Sequence, residues 1–248
     1  MTVSGVDDPE IESVNVSPVR DVDDGGKPVR TGIFKTPVEG AVRIATLNLA
    51  GDDQADRKNH GGEHKAVYAF GQQHLAHWRA ALAEHLLQAR GDAADVDSDR
   101  QSAAAEPDPI GPGFFGENLS VSVLDETVLR VGDRLRAGSA LLEISQPRVP
   151  CFKQGIRAGV RSMPRMFVAY GRTGVYLRVI EEGEVGAGDA LTLEAAGSMP
   201  YTLAELFAAV YDLDGAGRRE VMEAALEASA LSDEWRAVVT GKLRRLDG

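Results

Sequence analysis

The 248-residue sequence contains a single cysteine, Cys151, and this scarcity excludes several kinds of protein. One thiol cannot form a disulfide within the chain, so nothing in the sequence indicates an oxidising compartment. One cysteine also cannot hold an iron–sulfur cluster, which needs several such ligands. If this chain carries out redox chemistry, we therefore expect its electrons to come from a separate electron-donor reductase.

Long apolar runs are missing as well. No segment reaches the roughly 18 consecutive apolar residues that a membrane-spanning helix requires. The first ten residues are polar and acidic, whereas a secretory signal begins with basic residues and continues with an apolar core. The sequence therefore predicts a cytoplasmic protein with no membrane association.

Basic residues are in the minority, because 27 Lys and Arg face 38 Asp and Glu and give a net charge of −11. Broad nucleic-acid binding needs a basic surface, so nucleic acid is not an expected partner. Residues 144–180 are the exception, since they contain no Asp or Glu. Their seven basic residues are Arg148, Lys153, Arg157, Arg161, Arg165, Arg172 and Arg178. This stretch is either a pocket for a small polyanion around Cys151 or a chance cluster on solvated helix faces.

Alternating apolar and polar residues predict β-strands along much of the chain. Strand patterns occupy residues 11–16, 42–49, 66–70, 118–145, 175–180 and 191–193. A helical period replaces them at residues 72–90, where Leu75, Trp78, Leu82 and Leu86 share one stripe. Short strands separated by glycines, with few helices, are typical of a closed or nearly closed barrel.

Two segments depart from the strand pattern. Residues 91–112 are rich in Asp, Ala and Pro and are interpreted as an acidic, flexible insert. The pattern of residues 199–248 is helical, and Thr202 and Glu205 have the spacing of a capping box. We therefore expect one domain over residues 1–198 and a small three-helix domain after it.

The segment around the cysteine, residues 145–153, is the most informative part of the sequence. Two of its prolines restrict the backbone and hold Cys151 in a stiff loop after a strand. Arg148 and Lys153 flank the thiol, and neighbouring cations favour its thiolate form. A rigid thiolate among cations suits a soft metal or a sulfur-transfer reaction, and a buried inert cysteine is the alternative.

Six stretches of the chain match the pattern of one known family when they are taken together. They are residues 31–42 (TGIFKTPVEGAV), 51–56 (GDDQAD), 60–68 (HGGEHKAVY), 116–119 (GENL), 145–153 (SQPRVPCFK) and 171–179 (GRTGVYLRV). In this order they resemble the MOSC family, the molybdenum cofactor sulfurase C-terminal domain, and in particular its stand-alone YiiM-like branch. A three-helix domain often follows in that branch, as the tail of this sequence suggests.

The resemblance implies a mainly β fold with α-helices: a MOSC-type β-barrel with a few peripheral helices and a C-terminal three-helix subdomain. It also implies that the mouth of the barrel binds the molybdenum cofactor (Mo-molybdopterin), with Cys151 as the catalytic ligand to the metal. Family members reduce N-hydroxylated compounds, such as hydroxylaminopurine-type base analogues or amidoximes. In such an enzyme the cofactor supplies the redox chemistry, and the protein supplies the thiolate, orientation and charge.

An anionic cofactor needs cations and close backbone approach from its host. The candidate cofactor-binding residues are His60, Gly61, Gly62, Lys65, Asn118, Arg148, Lys153 and Arg172. Lysine binds phosphate as a point charge and arginine binds it as a fork, whereas glycine lets backbone amides come close. For each of these residues, a role in a turn or on the surface is the alternative.

Two other functions remain open for the same cysteine. Cys151 could carry a persulfide and pass sulfur to a cofactor, for which a thiolate of low pKa is equally suited. The chain could also be a non-catalytic module that binds or delivers the cofactor. A small-molecule N-hydroxylated substrate is the expected partner of the reductase, and a homodimer is a further possibility that the sequence does not decide.

Overall fold

The computed structural model describes residues 9–55, 61–92, 110–213 and 218–247, and within them the chain forms twelve β-strands and six α-helices. The strands are β1 Ile11–Val16, β2 Arg20–Asp23, β3 Pro28–Thr31, β4 Thr36–Val38, β5 Val42–Ile44, β6 Val67–Gly71, β7 Leu119–Val121, β8 Arg134–Ala137, β9 Ala140–Pro147, β10 Val175–Glu181, β11 Gly183–Val185 and β12 Leu191–Ala195. The helices are α1 Leu75–Asp92, α2 Phe152–Ala158, α3 Met163–Tyr170, α4 Leu203–Tyr211, α5 Arg219–Glu227 and α6 Asp233–Leu246. Short 3-10 helices at Glu63–Lys65 and Gln72–His74 precede β6 and α1.

Eight of the strands form one sheet in the order β12-β8-β9-β10-β6-β7-β1-β4. β6 and β7 run parallel, and all the other neighbours in the sheet are antiparallel. The strands β2 and β3 form a separate hairpin, and β5 pairs with β11. The mainly β class with peripheral helices and three C-terminal helices is therefore confirmed.

Backbone hydrogen bonds link the edge strand β12 to β1, the strand next to the opposite edge of the large sheet. Ile11 N donates to Asp189 O at 2.9 Å, Gly188 N donates to Ile11 O at 2.9 Å, and Leu191 N donates to Pro9 O. These bonds place the start of β1 beside the start of β12, while β4 extends the sheet along the rest of β1. The described strands therefore do not close a complete barrel. Backbone hydrogen bonds, and not a full strand ladder, bridge the sheet between β12 and β1.

The central strands are apolar because both of their faces are covered. All eight residues of β9 and all five residues of β6 are buried, and β10 lies between these two strands. Tyr176 of β10 pairs in register with Tyr68 of β6 on one side and with Gln146 of β9 on the other. This row of three residues lies near the centre of the sheet.

Helix α1 begins at Leu75 and follows the predicted helical pattern. Leu75, Trp78 and Leu82 of the predicted stripe are buried, and Trp78 stacks on Phe167 of α3 with ring centroids 4.3 Å apart. The predicted fourth member, Leu86, lies outside the side chains that the structure describes. An aromatic cluster thus fixes α1 and α3 against one side of the sheet.

The predicted capping box at the start of the C-terminal helices is confirmed. Thr202 Oγ1 accepts a hydrogen bond from Glu205 N at 3.2 Å, and Glu205 Oε2 accepts one from Thr202 N at 2.8 Å. Ser232 caps α6 in the same manner by accepting from Trp235 N at 3.2 Å. Trp235 belongs to the apolar cluster that also contains residues of β9, so these helices pack directly on the sheet. The domain boundary at residue 198 stays a prediction.

Three details differ from the sequence-based expectations. The strand expected over residues 42–49 ends at Ile44, because the chain turns and a β-bridge joins Ile44 to Leu49. Helices α2 and α3 occupy a stretch for which no element was predicted. Residues 91 and 92 of the expected insert form the end of α1, and residues 93–109 lie outside the described residues. None of the described helices is both long enough and apolar enough to cross a membrane.

Candidate functional site

A cavity of about 580 Å³, its open mouth included, lies against the central strands of the sheet. It is lined by residues from the segments 31–35, 52–55, 65–68, 116–118 and 148–153, together with Tyr176. These segments are far apart in the sequence and meet only in the folded chain. Each of the six stretches that carry the family resemblance contributes at least one residue to the wall.

Cys151 lies in this wall, at the point where the chain leaves β9 and enters α2. The residue is partly buried and adopts an extended conformation, with φ −130° and ψ 163°, immediately before the first residue of α2. Its carbonyl oxygen accepts a hydrogen bond from Gln154 N at 3.0 Å. Arg148 and Tyr176 are close enough for the Cys151 sulfur to influence their pKa values.

Arg148 is the most unusual cation of the cavity, because its side chain is 4% exposed and incompletely bonded. Its Nε and Nη1 have no hydrogen-bond partner among the described residues, and its Nη2 donates to Phe115 O at 3.4 Å. The guanidinium lies 4.7 Å from the centre of the Tyr68 ring. Burial alone would lower the pKa of Arg148, but Tyr68, Tyr176 and Cys151 raise it above its ordinary value. The side chain therefore stays charged and offers two unused donors to an anion.

A second cation of the cavity, Lys35, is compensated by the protein itself. Its ammonium group forms a buried ion pair with Asp52. Burial lowers the pKa of Lys35, and the Asp52 carboxylate opposes that effect. Asp52 also accepts from Asn118 Nδ2 at 2.9 Å and from Ser17 N at 2.9 Å. The carboxylate thus fixes the position of the lysine in the wall.

Asn118 lines the cavity, which agrees with its prediction as a cofactor-binding residue. Its side-chain amide already forms hydrogen bonds within the protein. Its Oδ1 accepts from Tyr68 N at 3.1 Å, and its Nδ2 donates to Asp52 and to Asn15 O. These contacts brace β6 against the loop that carries Asp52. These contacts hold Asn118 in position in the wall, and its predicted role in cofactor binding stays a prediction.

Lys65 also lines the cavity, at the end of the 3-10 helix before β6. It is 8% exposed, and its ammonium group is ion-paired with Glu234 of α6. The preceding Gly62 has φ 86° and ψ 178°, a conformation that is essentially restricted to glycine. Gly62 N donates to Gln54 Oε1 at 3.0 Å, and Gln54 is a wall residue. Gly61 and Gly62 thus shape the loop from behind and are not themselves in the wall.

The remaining predicted residues have different positions. Lys153 lines the cavity. Arg172 does not: it follows α3, its Nη1 donates to Gly171 O at 3.2 Å, and its charge acts on Asp125 and Tyr170. His60 lies outside the described residues.

The acid-free stretch of residues 144–180 supplies fewer cations to the cavity than its composition suggests. Only Arg148 and Lys153 of its seven basic residues lie in the wall. Others make contacts elsewhere: Arg161 pairs with Asp24, and Arg178 pairs with Glu143. Helices α2 and α3 and the alternation of β10 turn successive side chains in different directions, so proximity in sequence does not bring these charges together.

Several wall residues were not nominated from the sequence. Four of them lie in stretches that carry the family resemblance, and that resemblance could have identified them as wall residues: Lys35, Asp52, Tyr68 and Tyr176. The rings of Tyr68 and Tyr176 have centroids 5.3 Å apart, and burial raises the pKa of both phenols. Glu234, the ion-pair partner of the wall residue Lys65, gave no such signal, because an acidic residue in the first turn of a helix is explained by the helix dipole alone.

The cavity can bind an anion next to a sulfur ligand. Arg148 and Lys153 lie in the same segment of the wall as Cys151, and the two phenols keep their protons at neutral pH. Within the described parts of the chain, no three His, Cys, Asp or Glu side chains converge as a metal site.

Comparison with known proteins gives consistent results. A model of the MOSC domain matches residues 56–192. The chain is 33% identical over 234 residues to the uncharacterized protein YflK of Bacillus subtilis, with 94% of each protein covered. It is 30% identical over 168 residues to protein YiiM of Escherichia coli, covering 68% of this chain and 65% of that protein.

Two further similarities concern a larger protein and a solved structure. A fungal protein named reductase, from Gibberella moniliformis, is 28% identical over 169 residues, which are 68% of this chain and 26% of that protein. The crystal structure of YiiM from Geobacillus stearothermophilus superimposes with a TM-score of 0.68 at 26% identity. That superposition covers 95% of this chain and 99% of the other, so it includes both the sheet and the C-terminal helices.

Proposed function

Because this chain belongs to the MOSC domain family, we propose that it binds the molybdenum cofactor and reduces N-hydroxylated compounds with it. The observation that carries the proposal is Arg148, a buried guanidinium with two unused donors in the same wall as the partly buried Cys151. An unpaired buried cation is costly, so such a site favours an anionic ligand. The relative named reductase supports redox chemistry for this branch of the family.

The residues of the cavity fit the cofactor. Cys151 offers a soft sulfur ligand for the metal, and Arg148 and Lys153 offer positive charge for its anionic groups. When bound, the cofactor supplies two-electron redox chemistry. The protein contributes the fixed position of the thiol, which the turn from β9 into α2 determines.

The reaction also needs protons near the substrate. Reduction of R–NHOH to R–NH2 and water consumes two electrons and two protons. Burial raises the pKa of Tyr176, so its Oη holds a proton at neutral pH close to Cys151 and Arg148. We propose Tyr176 as a donor of one of these protons, and a separate reductase as the source of the electrons.

The decisive experiment compares wild type with Cys151→Ser, both made in a host that synthesises the cofactor. We expect molybdenum and pterin in the wild type, and loss of molybdenum from the variant. The loaded wild type should reduce hydroxylaminopurine or an amidoxime when a chemical reductant is supplied.

Two results would contradict the proposal. One is a fully metallated wild type that reduces no member of a broad N-hydroxyl panel. The other is a protein without molybdenum whose Cys151 carries the mass of one added sulfur atom, which is the signature of a persulfide carrier.

A further inference from the structure

Glu234 does not itself line the cavity, but it contacts the wall residue Lys65 from a part of the chain far removed in sequence. It lies in the first turn of α6, and its carboxylate is paired with Lys65. The lysine side chain is 7% exposed and the glutamate side chain is 39% exposed. The last helix thus supplies the counter-charge for a cation that lines the cavity.

The position of Glu234 is fixed by several contacts with the central strand β9. Ser232 Oγ donates to Gln146 Oε1 at 2.6 Å, and Ser232 N donates to Ser145 O at 3.1 Å. Gln146 Nε2 is 3.5 Å from Glu234 Oε2. Gln146 lies in register with Tyr176, over whose ring Lys65 Nζ lies at 5.8 Å from the centre. The ion pair is therefore a built feature of the wall.

The four cations of the wall consequently fall into two classes. Lys35 is paired with Asp52, and Lys65 is paired with Glu234. Arg148 and Lys153 have no carboxylate partner within the described residues, and they lie in the segment that contains Cys151. Arg148 and Lys153 can thus offer positive charge to a ligand, whereas the charge of Lys65 is opposed by the Glu234 carboxylate.

We propose that Glu234 is a specificity-determining residue, which neutralises Lys65 so that the cavity accepts uncharged N-hydroxylated substrates beside this lysine and disfavours phosphorylated ones. This substrate preference rests on the function proposed above. A phosphate that approached Lys65 would also meet the Glu234 carboxylate, and like charges at such short range repel each other strongly in a partly buried site. Under this proposal Lys65 is the ion-pair partner of Glu234, whereas the sequence suggested it as a phosphate ligand.

The test is binding of inorganic phosphate to cofactor-free protein, measured by calorimetry at constant ionic strength and slightly alkaline pH. Glu234→Gln keeps the size and hydrogen-bonding capacity of the side chain but removes its charge. We expect phosphate to bind this variant roughly five- to tenfold more tightly than wild type, a moderate effect because the site is partly open to solvent. The matched control is Glu220→Gln, which removes an exposed acid from the first turn of α5 and should stay within about twofold of wild type.

A double variant decides the question independently. Lys65→Gln combined with Glu234→Gln replaces one neutral pair with another, so its phosphate affinity should stay within about twofold of wild type. The proposal is overturned if Glu234→Gln binds phosphate no better than Glu220→Gln. It is equally overturned if the double variant binds phosphate at least tenfold more weakly than wild type, because Lys65 would then bind phosphate despite Glu234.

Turnover provides a second readout that separates this proposal from the general function. In cofactor-loaded protein, Glu234→Gln should shift the ratio of kcat/KM for a phosphorylated hydroxylaminopurine nucleotide over the free base upward by roughly five- to tenfold. An unchanged ratio in an active enzyme contradicts the role of Glu234 alone. Absence of turnover in wild type contradicts the proposed reduction, while the phosphate measurements still decide the role of Glu234.

Discussion

Arg148 can bind an anionic ligand, but its burial also lowers the stability of the ligand-free protein. Two of its guanidinium nitrogens are buried without an acceptor among the described residues, and the contacts with Phe115 O, the Tyr68 ring and Tyr176 offset part of the loss of water. Proteins commonly accept such strain where a ligand is to be bound. A substitution of Arg148 should therefore change both the positive charge of the cavity and the stability of the ligand-free protein.

We predict that Arg148→Met stabilises the ligand-free protein while it weakens the site. Methionine has a similar reach and carries no charge, so the free energy of unfolding should rise by about 1 kcal/mol, as in other replacements of buried charges by apolar side chains. Urea denaturation measures this change. Molybdenum content after expression in a cofactor-producing host should fall at the same time.

A conservative substitution tests the geometric part of this prediction. Arg148→Lys keeps the charge but loses the planar fork, so it should retain less molybdenum than wild type without the gain in stability. A clear loss of stability in Arg148→Met would show that the guanidinium is fully satisfied in solution, and it would remove the main support for an anion site.

At the scale of single elements, the C-terminal helices show how local signals determine structure. The capping box of α4 uses two residues three positions apart, and both of its hydrogen bonds are formed. The end of α4 is equally local, because Asp212 adopts φ 53° and ends the helix in a left-handed conformation. The start and the end of α4 are thus set by local residues, whereas its buried face packs against the rest of the chain.

We predict that Thr202→Ala lowers the free energy of unfolding by about 1 kcal/mol, because the backbone N–H of Glu205 then loses its acceptor. Thermal and urea denaturation measure the loss. The matched control is Glu205→Gln, which preserves the capping pattern and should cost less than Thr202→Ala. Equal losses in the two variants would mean that the charge of Glu205, and not the cap of Thr202, stabilises the start of α4.

At the scale of the whole molecule, the sheet and the C-terminal helices share one apolar cluster. Leu142 and Ile144 of β9 belong to it together with Leu206 of α4 and Trp235 of α6. Backbone hydrogen bonds add to this contact, since Leu203 N donates to Leu129 O at 2.8 Å. The helices therefore complete the core of the sheet on the side from which Glu234 contacts Lys65.

We predict that the chain unfolds as one cooperative unit in spite of the two domains expected from the sequence. The chain has two tryptophans, Trp78 in the aromatic cluster and Trp235 in the cluster shared with the helices. Trp78→Phe and Trp235→Phe each leave one fluorescent reporter. In each variant, the fluorescence transition in urea should coincide with that of far-ultraviolet circular dichroism.

Separate transitions would contradict this prediction. If the Trp235 reporter alone changed at lower urea than the circular dichroism of the same variant, the C-terminal helices would form a less stable domain. Glu234 would then separate from Lys65 before the sheet unfolds.

The sequence by itself determined the features that depend on neighbouring residues. Alternation predicted β1, a strand pattern predicted β10, a period of 3.6 residues predicted α1, and a three-residue spacing predicted the cap at Thr202. The stretches that carry the resemblance identified the segments of the cavity wall, including the one with Cys151. All these signals can be read locally, because strand and helix periodicity and capping require only residues a few positions apart.

Only the tertiary structure decided which charges meet. Lys35 with Asp52 and Lys65 with Glu234 are pairs separated by 17 and 169 positions, and composition gives no indication of either. The arginines of residues 144–180 diverge because two helices and a strand direct their side chains to different faces. The charge of the cavity thus depends on which faces of distant elements pack together, a property that a linear pattern of residues does not contain.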